Sequence, residues 1–161
     1  MSVRGRAGPA AAALAALLLA GCASATPGGT TTGDAEMAGR GWIVTDDAAA
    51  AAVLRTCSRP SPDRDAELPR WVPTAADIAA LEAALPTIAE GSDPARYNRQ
   101  YVGFERDGRR YIYLNAWPLN LPSPADPARE AVRVCDGGEQ FWGAVWDPQA
   151  QAFSDIAGNG G

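Results

Sequence analysis

Histidine and lysine are both missing from this chain of 161 residues, and its 14 basic residues are all arginine. Without imidazole there can be no Ser-His-Asp triad, no Cys-His dyad and no histidine-based metal site. Without lysine, Schiff-base chemistry and the phosphate-binding lysine of a P-loop are excluded, and the scattered glycines match neither P-loop nor dinucleotide-binding spacing. Positive charge is also in short supply. The formal net charge is −5, which argues against nucleic acid, whose binding depends on neutralising phosphates. Long hydrophobic runs are lacking too. The apolar stretch over residues 10–20 is about half the roughly 20 residues that a spanning helix needs.

What chemistry remains belongs to carboxylates. Glycosidases work with two such groups about 5–9.5 Å apart across a cleft. Asp136, Glu139 and Glu105 are the candidates for such a pair. Asp136, however, stands in an Asp-Gly-Gly string, where aspartate suits a turn for backbone reasons. The composition therefore favours a protein without catalysis, metal or cofactor, and a carboxylate-dependent hydrolase ranks third among the readings.

The N-terminal segment has the three parts of a secretory signal: Arg4 and Arg6, then the apolar run, then the small residue Gly21. The two arginines are not adjacent, so they do not form a twin-arginine signal. Leu19-Ala20-Gly21-Cys22 at the end of the run resembles a bacterial lipobox. The resemblance implies a signal peptide over residues 1–21 and a lipid on Cys22, which would become the first residue of the mature chain. Ala23 and Ser24 lack the aspartate that favours inner-membrane retention in lipoproteins. By resemblance the destination is then the cell envelope, at the outer membrane where one exists, with the domain in the periplasm or outside the cell. Acyl chains contribute about 0.8 kcal/mol per buried methylene, and two or more anchor durably. Ala23-Ser24-Ala25 offers a competing cut for ordinary signal peptidase, which would release a soluble protein starting near Thr26.

Loss of residues 1–21 would remove two arginines and no acid, leaving 12 arginines against 19 acidic residues and a charge near −7. Such a domain would not adhere electrostatically to anionic lipid, so the lipid on Cys22 would be its membrane contact. Setting Cys22 aside leaves Cys57 and Cys135, an even pair suited to an oxidising compartment. A bridge between them would close a long loop, worth about 4–5 kcal/mol by chain-entropy reasoning. The alternative is two buried thiols. A reactive cysteine would want a neighbouring base, and histidine is not there to supply one.

Residues 22–41 are mostly Ala, Ser, Thr, Gly and Pro, the composition of a flexible linker, with a Thr30-Thr31-Thr32 run that could carry glycans. Residues 42–161 form one small domain. Asp46 and Asp47 precede an alanine run, and carboxylates there suit a helix start better than a metal site. Pro73-Thr74 with Asp77 gives a variant capping box, followed by Ile78, Leu81, Leu85 and Ile88 at helical spacing. Pro86 should end that helix near Leu85. Residues 101–106 and 109–116 read as strands joined at Asp107-Gly108, a strong hairpin signal. Residues 130–135, 140–147 and 152–156 read as further strands. Residues 117–129, with four prolines, read as an irregular excursion, and the glycine-rich end should fray. The expectation is an α+β fold with one or two helices on a four- to five-stranded antiparallel sheet.

Aromatic residues are the most suggestive class. Tyr97, Tyr101, Tyr111, Tyr113 and Trp117 fall in the first hairpin, and Phe141, Trp142 and Trp146 in the second. They could fill the core. Alternatively Tyr111, Tyr113, Arg109, Trp142 and Trp146, with Arg99 or Arg110, could stud an open sheet face that binds an envelope protein or a glycan, since Tyr, Trp and Arg dominate binding hot spots. A non-catalytic envelope lipoprotein with such a binding domain is the leading reading, and an inhibitor or chaperone-like module is the second. From Cys57 onward, Tyr97-Asn98-Arg99-Gln100-Tyr101 and Val134-Cys135-Asp136-Gly137-Gly138 resemble strings in small uncharacterised exported proteins of bacteria. That resemblance implies export and carries no activity or ligand.

Overall fold

The computed structural model describes residues 40–160 apart from 58, 66, 91 and 92. Cys22, the signal-like segment and nearly all of the 22–41 linker lie outside the described residues.

Both helices start where the carboxylates indicate. The Asp46 side chain accepts from Ala49 N at 2.9 Å and caps α1 (Asp47–Leu54), with Asp47 in the first turn. Satisfying one free N–H in this way contributes about 1 kcal/mol. Thr74 and Asp77 exchange hydrogen bonds as a capping box at the start of α2 (Ala75–Ala84). Pro86 then forces the chain into a 3₁₀ turn at Leu85–Thr87.

Six strands form one sheet: β1 (Gly41–Ile43), β2 (Arg70–Trp71), β3 (Tyr97–Arg106), β4 (Arg109–Pro118), β5 (Gly138–Asp147) and β6 (Ala152–Asn159). The order is β1-β3-β4-β5-β6, with β2 pairing the other half of β3. All pairings are antiparallel except β1 with β3, where Gly41 lies opposite Arg99. The fold is thus α+β as expected, with one strand more than expected and one parallel pair. The additions are β1 and β2. Strands of three and two residues are too short to show alternation, and it is the long β3 that makes them strands. Gly41, the last residue of the stretch read as linker, is the first residue of β1.

Asp107 (φ 54°) and Gly108 (φ 72°) make the expected hairpin turn, two left-handed residues that match the twist of the strands. Two expectations fail. Residues 130–135 are not a strand, and residues 157–159 do not fray but continue β6, with Asn159 buried. Both failures have one cause. Side-chain amides take over the backbone bonding: Asn115 Nδ2 donates to the carbonyl of Val132, and Asn159 Nδ2 to that of Val134. Gln100 Nε2 donates to the carbonyls of Pro127 and Glu130 at 2.7 Å each, while its Oε1 accepts from Val132 N.

The sheet is covered on both faces. On one, Tyr101, Ile112, Leu114, Ala116, Trp142, Ala144 and Trp146 pack against Ile78, Leu81 and Leu85 of α2 and its 3₁₀ extension. On the other, Val102, Phe104, Tyr113 and Val145 pack against Ala49, Ala50, Val53 and Leu54 of α1. The free edge, β6, is broken by register shifts opposite β5, with Asp155 at φ 50°. Bulged edges of this kind resist pairing with another chain.

Candidate functional site

Cys57 and Cys135 form a disulfide, with Cα atoms 5.4 Å apart and a sequence separation of 78. It ties the segment after α1 to the irregular segment before β5. Both cysteines are exposed, so the bond lies on the protein surface.

The aromatic set is divided between two cores and does not form an open face. Trp142 and Trp146 lie under α2, and Tyr113 lies under α1, each 2% exposed or less. The strand alternation separates them, and a helix on each side removes both sets from water. Arg109 is exposed and Tyr111 half-buried, and these two meet at the hairpin end. There the Arg106 and Arg109 guanidinium groups lie 5.1 and 5.7 Å from the Tyr111 ring centre, and Arg110 lies 5.0 Å from that of Trp71. These arginines are already engaged by Asp155, Asp147 and Glu105. Trp71 and Arg106 carried no signal in the sequence, since their meeting depends on β2 pairing with β3.

Glu105 does not converge with Glu139. Glu105 pairs with Arg110 at the hairpin end of the sheet, beside the Asp147 end of β5. Glu139 is at the opposite end of that ten-residue strand, about 25 Å away at strand rise. Asp136 occupies its turn with φ 56°. Among the described residues no three Cys, Asp or Glu side chains gather as a metal site requires.

A different place is concave. A cleft of about 490 Å³ lies at the end of the sheet away from the hairpin turn, lined by Ala95, Arg96, Tyr97, Pro118, Leu119, Asn120 and Gln140. It is roomier than the hollows beside Arg59, Asp46 and Pro60 and within the usual range for ligand sites. Its floor is aromatic, the half-buried Tyr97 ring standing edge-on to Trp142 with centroids 5.6 Å apart. One wall is the 3₁₀ turn Pro94–Arg96, whose Arg96 carbonyl accepts from Leu119 N at 2.8 Å.

That wall is positioned from below by Arg99. Its Nη1 donates to the carbonyls of Pro94 (2.5 Å) and Tyr97 (2.8 Å), and its Nε donates to Glu82 of α2 at 2.8 Å and to the Tyr101 hydroxyl at 3.0 Å. The Tyr101 hydroxyl in turn donates to Glu82. Burial pushes the Tyr101 phenol far above its ordinary value, the Arg99 charge opposing this and the Glu82 charge adding to it. Burial works against the Arg99 charge, but Tyr101 and Glu82 outweigh it and raise the guanidinium above its ordinary value. These contacts tie the 3₁₀ turn to α2 and β3, which gives the cleft a rigid wall.

No carboxylate lines the cleft. Its polar groups are Arg96, Asn120, Gln140 and the Tyr97 hydroxyl, and among the described residues these side chains make no hydrogen bond within the protein. Sequence reasoning found Tyr97 as an aromatic but missed Arg96, Asn120 and Gln140, which come from three separate segments. The chain matches no protein-family model, no curated protein and no solved structure.

Proposed function

We propose that this protein is a bacterial envelope lipoprotein, anchored through acyl chains on Cys22, whose domain binds an envelope glycan in the Tyr97 cleft without catalysis. The observation that carries the binding half is the lining of that cleft: one aromatic face, two planar amides and a guanidinium, uncommitted to any partner among the described residues and held on a rigid wall. Rings of this kind stack on sugars, and planar polar side chains hydrogen-bond their hydroxyls. The absence of acidic residues from the lining removes the general acid and base that a glycosidase needs, so binding is favoured over hydrolysis. The anchoring half rests on the lipobox resemblance at Cys22 and on the disulfide, a bond of oxidising compartments. No helix of the described residues is long and apolar enough to cross a membrane, so retention there would depend on the lipid.

Titration of the isotope-labelled domain with soluble cell-wall oligosaccharides tests the binding half. Signals of Tyr97, Asn120, Gln140 and the Trp142 indole should shift together and saturate, and Tyr97→Ala and Arg96→Ala should each weaken the effect. No movement at millimolar sugar would overturn it. For the anchor, Cys22→Ala should move the protein from the membrane to the soluble fraction, and continued retention would contradict the lipid. A second reading, an inhibitor acting on an envelope enzyme, is favoured by the arginine–aromatic hairpin end with Val72 exposed beside Trp71. Under that reading Arg109→Ala and Arg110→Ala would abolish binding to a protein partner, and Tyr97→Ala would not.

A further inference from the structure

Arg59 lies in the irregular segment after α1, and its side chain reaches over the sheet on the α1 face. Nε donates to the Tyr113 hydroxyl at 2.7 Å, Nη1 to Asn159 Oδ1 at 2.5 Å and Nη2 to Asn115 Oδ1 at 2.5 Å. Gly143 makes the room. A Cβ at this position would collide with the Tyr113 hydroxyl and come within 3.0 Å of Arg59 Nε. All three acceptors are neutral. Among the described residues no carboxylate pairs with Arg59, whereas Arg70, Arg99, Arg106, Arg109 and Arg110 each have one.

The small cavity beside this guanidinium is lined by Thr56, Asn115, Trp117, Arg133, Phe141 and Asn159 among others, and no acidic residue is among them. Each of its acceptor oxygens already holds one donor. The Asn115 and Asn159 side-chain oxygens are on Arg59, and the Val132 and Val134 carbonyls are on the two amide nitrogens. Its donors are in excess. A guanidinium has five N–H groups, so two remain on Arg59. Trp117 is 1% exposed and its indole N–H has no acceptor among the described residues. The Trp142 and Trp146 indoles are also unpaired, but they lie on the other face and line no cavity beside a cation. Arg59 is half-buried, and leaving the buried Trp117 N–H unpaired is costly. The space admits about one particle the size of a water molecule or a halide. A water would satisfy the donors and leave the charge without a counter-ion.

We propose that this cavity binds one small inorganic anion of the chloride class, held between the Arg59 guanidinium and the Trp117 indole. Arg59 stands two residues from Cys57, so the ion fastens the segment after α1 to the sheet beside the disulfide. The site is independent of the Tyr97 cleft, which is on the opposite face.

The test is the melting temperature at constant ionic strength as gluconate is replaced by chloride or bromide, together with crystals grown in sodium bromide. A ligand that binds only the native state raises stability as its concentration passes the dissociation constant. A saturable rise with either halide is expected, along with an anomalous bromide peak within hydrogen-bond distance of Arg59 and Trp117. Arg59→Gln should abolish the rise. Should that variant fail to fold, Trp117→Phe keeps the ring, removes only the N–H donor and should demand about tenfold more halide, the loss of one hydrogen bond to a charged group. Identical melting in halide and gluconate, or an ordered water with no anomalous signal at the site, would overturn the proposal.

Discussion

The two faces of the sheet each hold an arginine, and they hold it differently. Under α2, Arg99 is 4% exposed and is matched by Glu82, with Tyr101 between them and apolar side chains around. Under α1, Arg59 meets only neutral oxygens, in a row of amides that reaches from Gln100 through Asn115 to Asn159. The first face is closed by a well-capped helix. The second is closed by a short helix and a segment with no regular structure, which needs amide side chains and a disulfide to stay in place. A helix brings its own backbone hydrogen bonds to the sheet, whereas an irregular cover must have them supplied, and Gln100, Asn115 and Asn159 supply them.

The largest expected contrast comes from removing the bridge. Cys57→Ser with Cys135→Ser should lower stability by about 4 kcal/mol. Amide exchange should accelerate in residues 126–135 and β6, while α2 remains protected. Equal loosening of both faces would mean that the covers are not independent. Glu82→Gln attacks the other face by leaving Arg99 without a counter-charge, at a cost of about 2–3 kcal/mol, less than for a fully buried pair because Glu82 is partly exposed. It should also loosen the Pro94–Arg96 wall and weaken whatever the Tyr97 cleft binds, which calorimetry of the variant would reveal. Gly143→Ala crowds Arg59 out of its bed and should cost about 1–2 kcal/mol by overpacking, measured by urea unfolding. If it is silent, the Arg59 contacts contribute little.

The smallest effect should be shared by both faces. Tyr101 and Tyr113 are both raised above the ordinary phenol value of 10.0 by burial, against the pull of Arg99 and Arg59 respectively. Their contribution is complete below that value. It declines as pH rises above it, because the unfolded chain can then release the proton and the native one cannot. Tyr101 should cost about 0.8 kcal/mol at pH 10.5, and the effect of Tyr113 should have the same sign. The Tyr101 phenolate, followed through its own ring resonances, should form with unfolding and not before it. Earlier ionisation of one tyrosine would identify the looser face.

The α2 face was largely legible in the sequence, because its signals are local. Thr74 with Asp77, the spacing of Ile78, Leu81 and Leu85, and Pro86 each act within a few residues. The hairpin at Asp107-Gly108 was legible for the same reason. The α1 face was less so. Residues 130–135 carry enough valine to read as a strand, and only the distant amides of Gln100, Asn115 and Asn159 decide otherwise. The Cys57–Cys135 pair followed from counting cysteines. The aromatics were the clearest gap, since alternation tells which residues share a face but not whether that face is covered. The cleft was hidden because Arg96, Asn120 and Gln140 meet only after β3, β4 and β5 are in register.

The parallel pairing of β1 with β3 also has a mechanical side. The described residues begin at Arg40, whose carbonyl accepts from Arg99 N at 2.7 Å, two residues from Tyr97. A pull applied at Arg40 and resisted by a ligand in the cleft would run through β1 and the first turns of hydrogen bonding on β3. The disulfide, the Arg59 bed and the hairpin end lie off that line and would carry no load. Because β1 and β3 run parallel and Arg40 and Tyr97 lie at the same end of the pair, the three-residue β1 would be peeled from β3, its hydrogen bonds opening one after another.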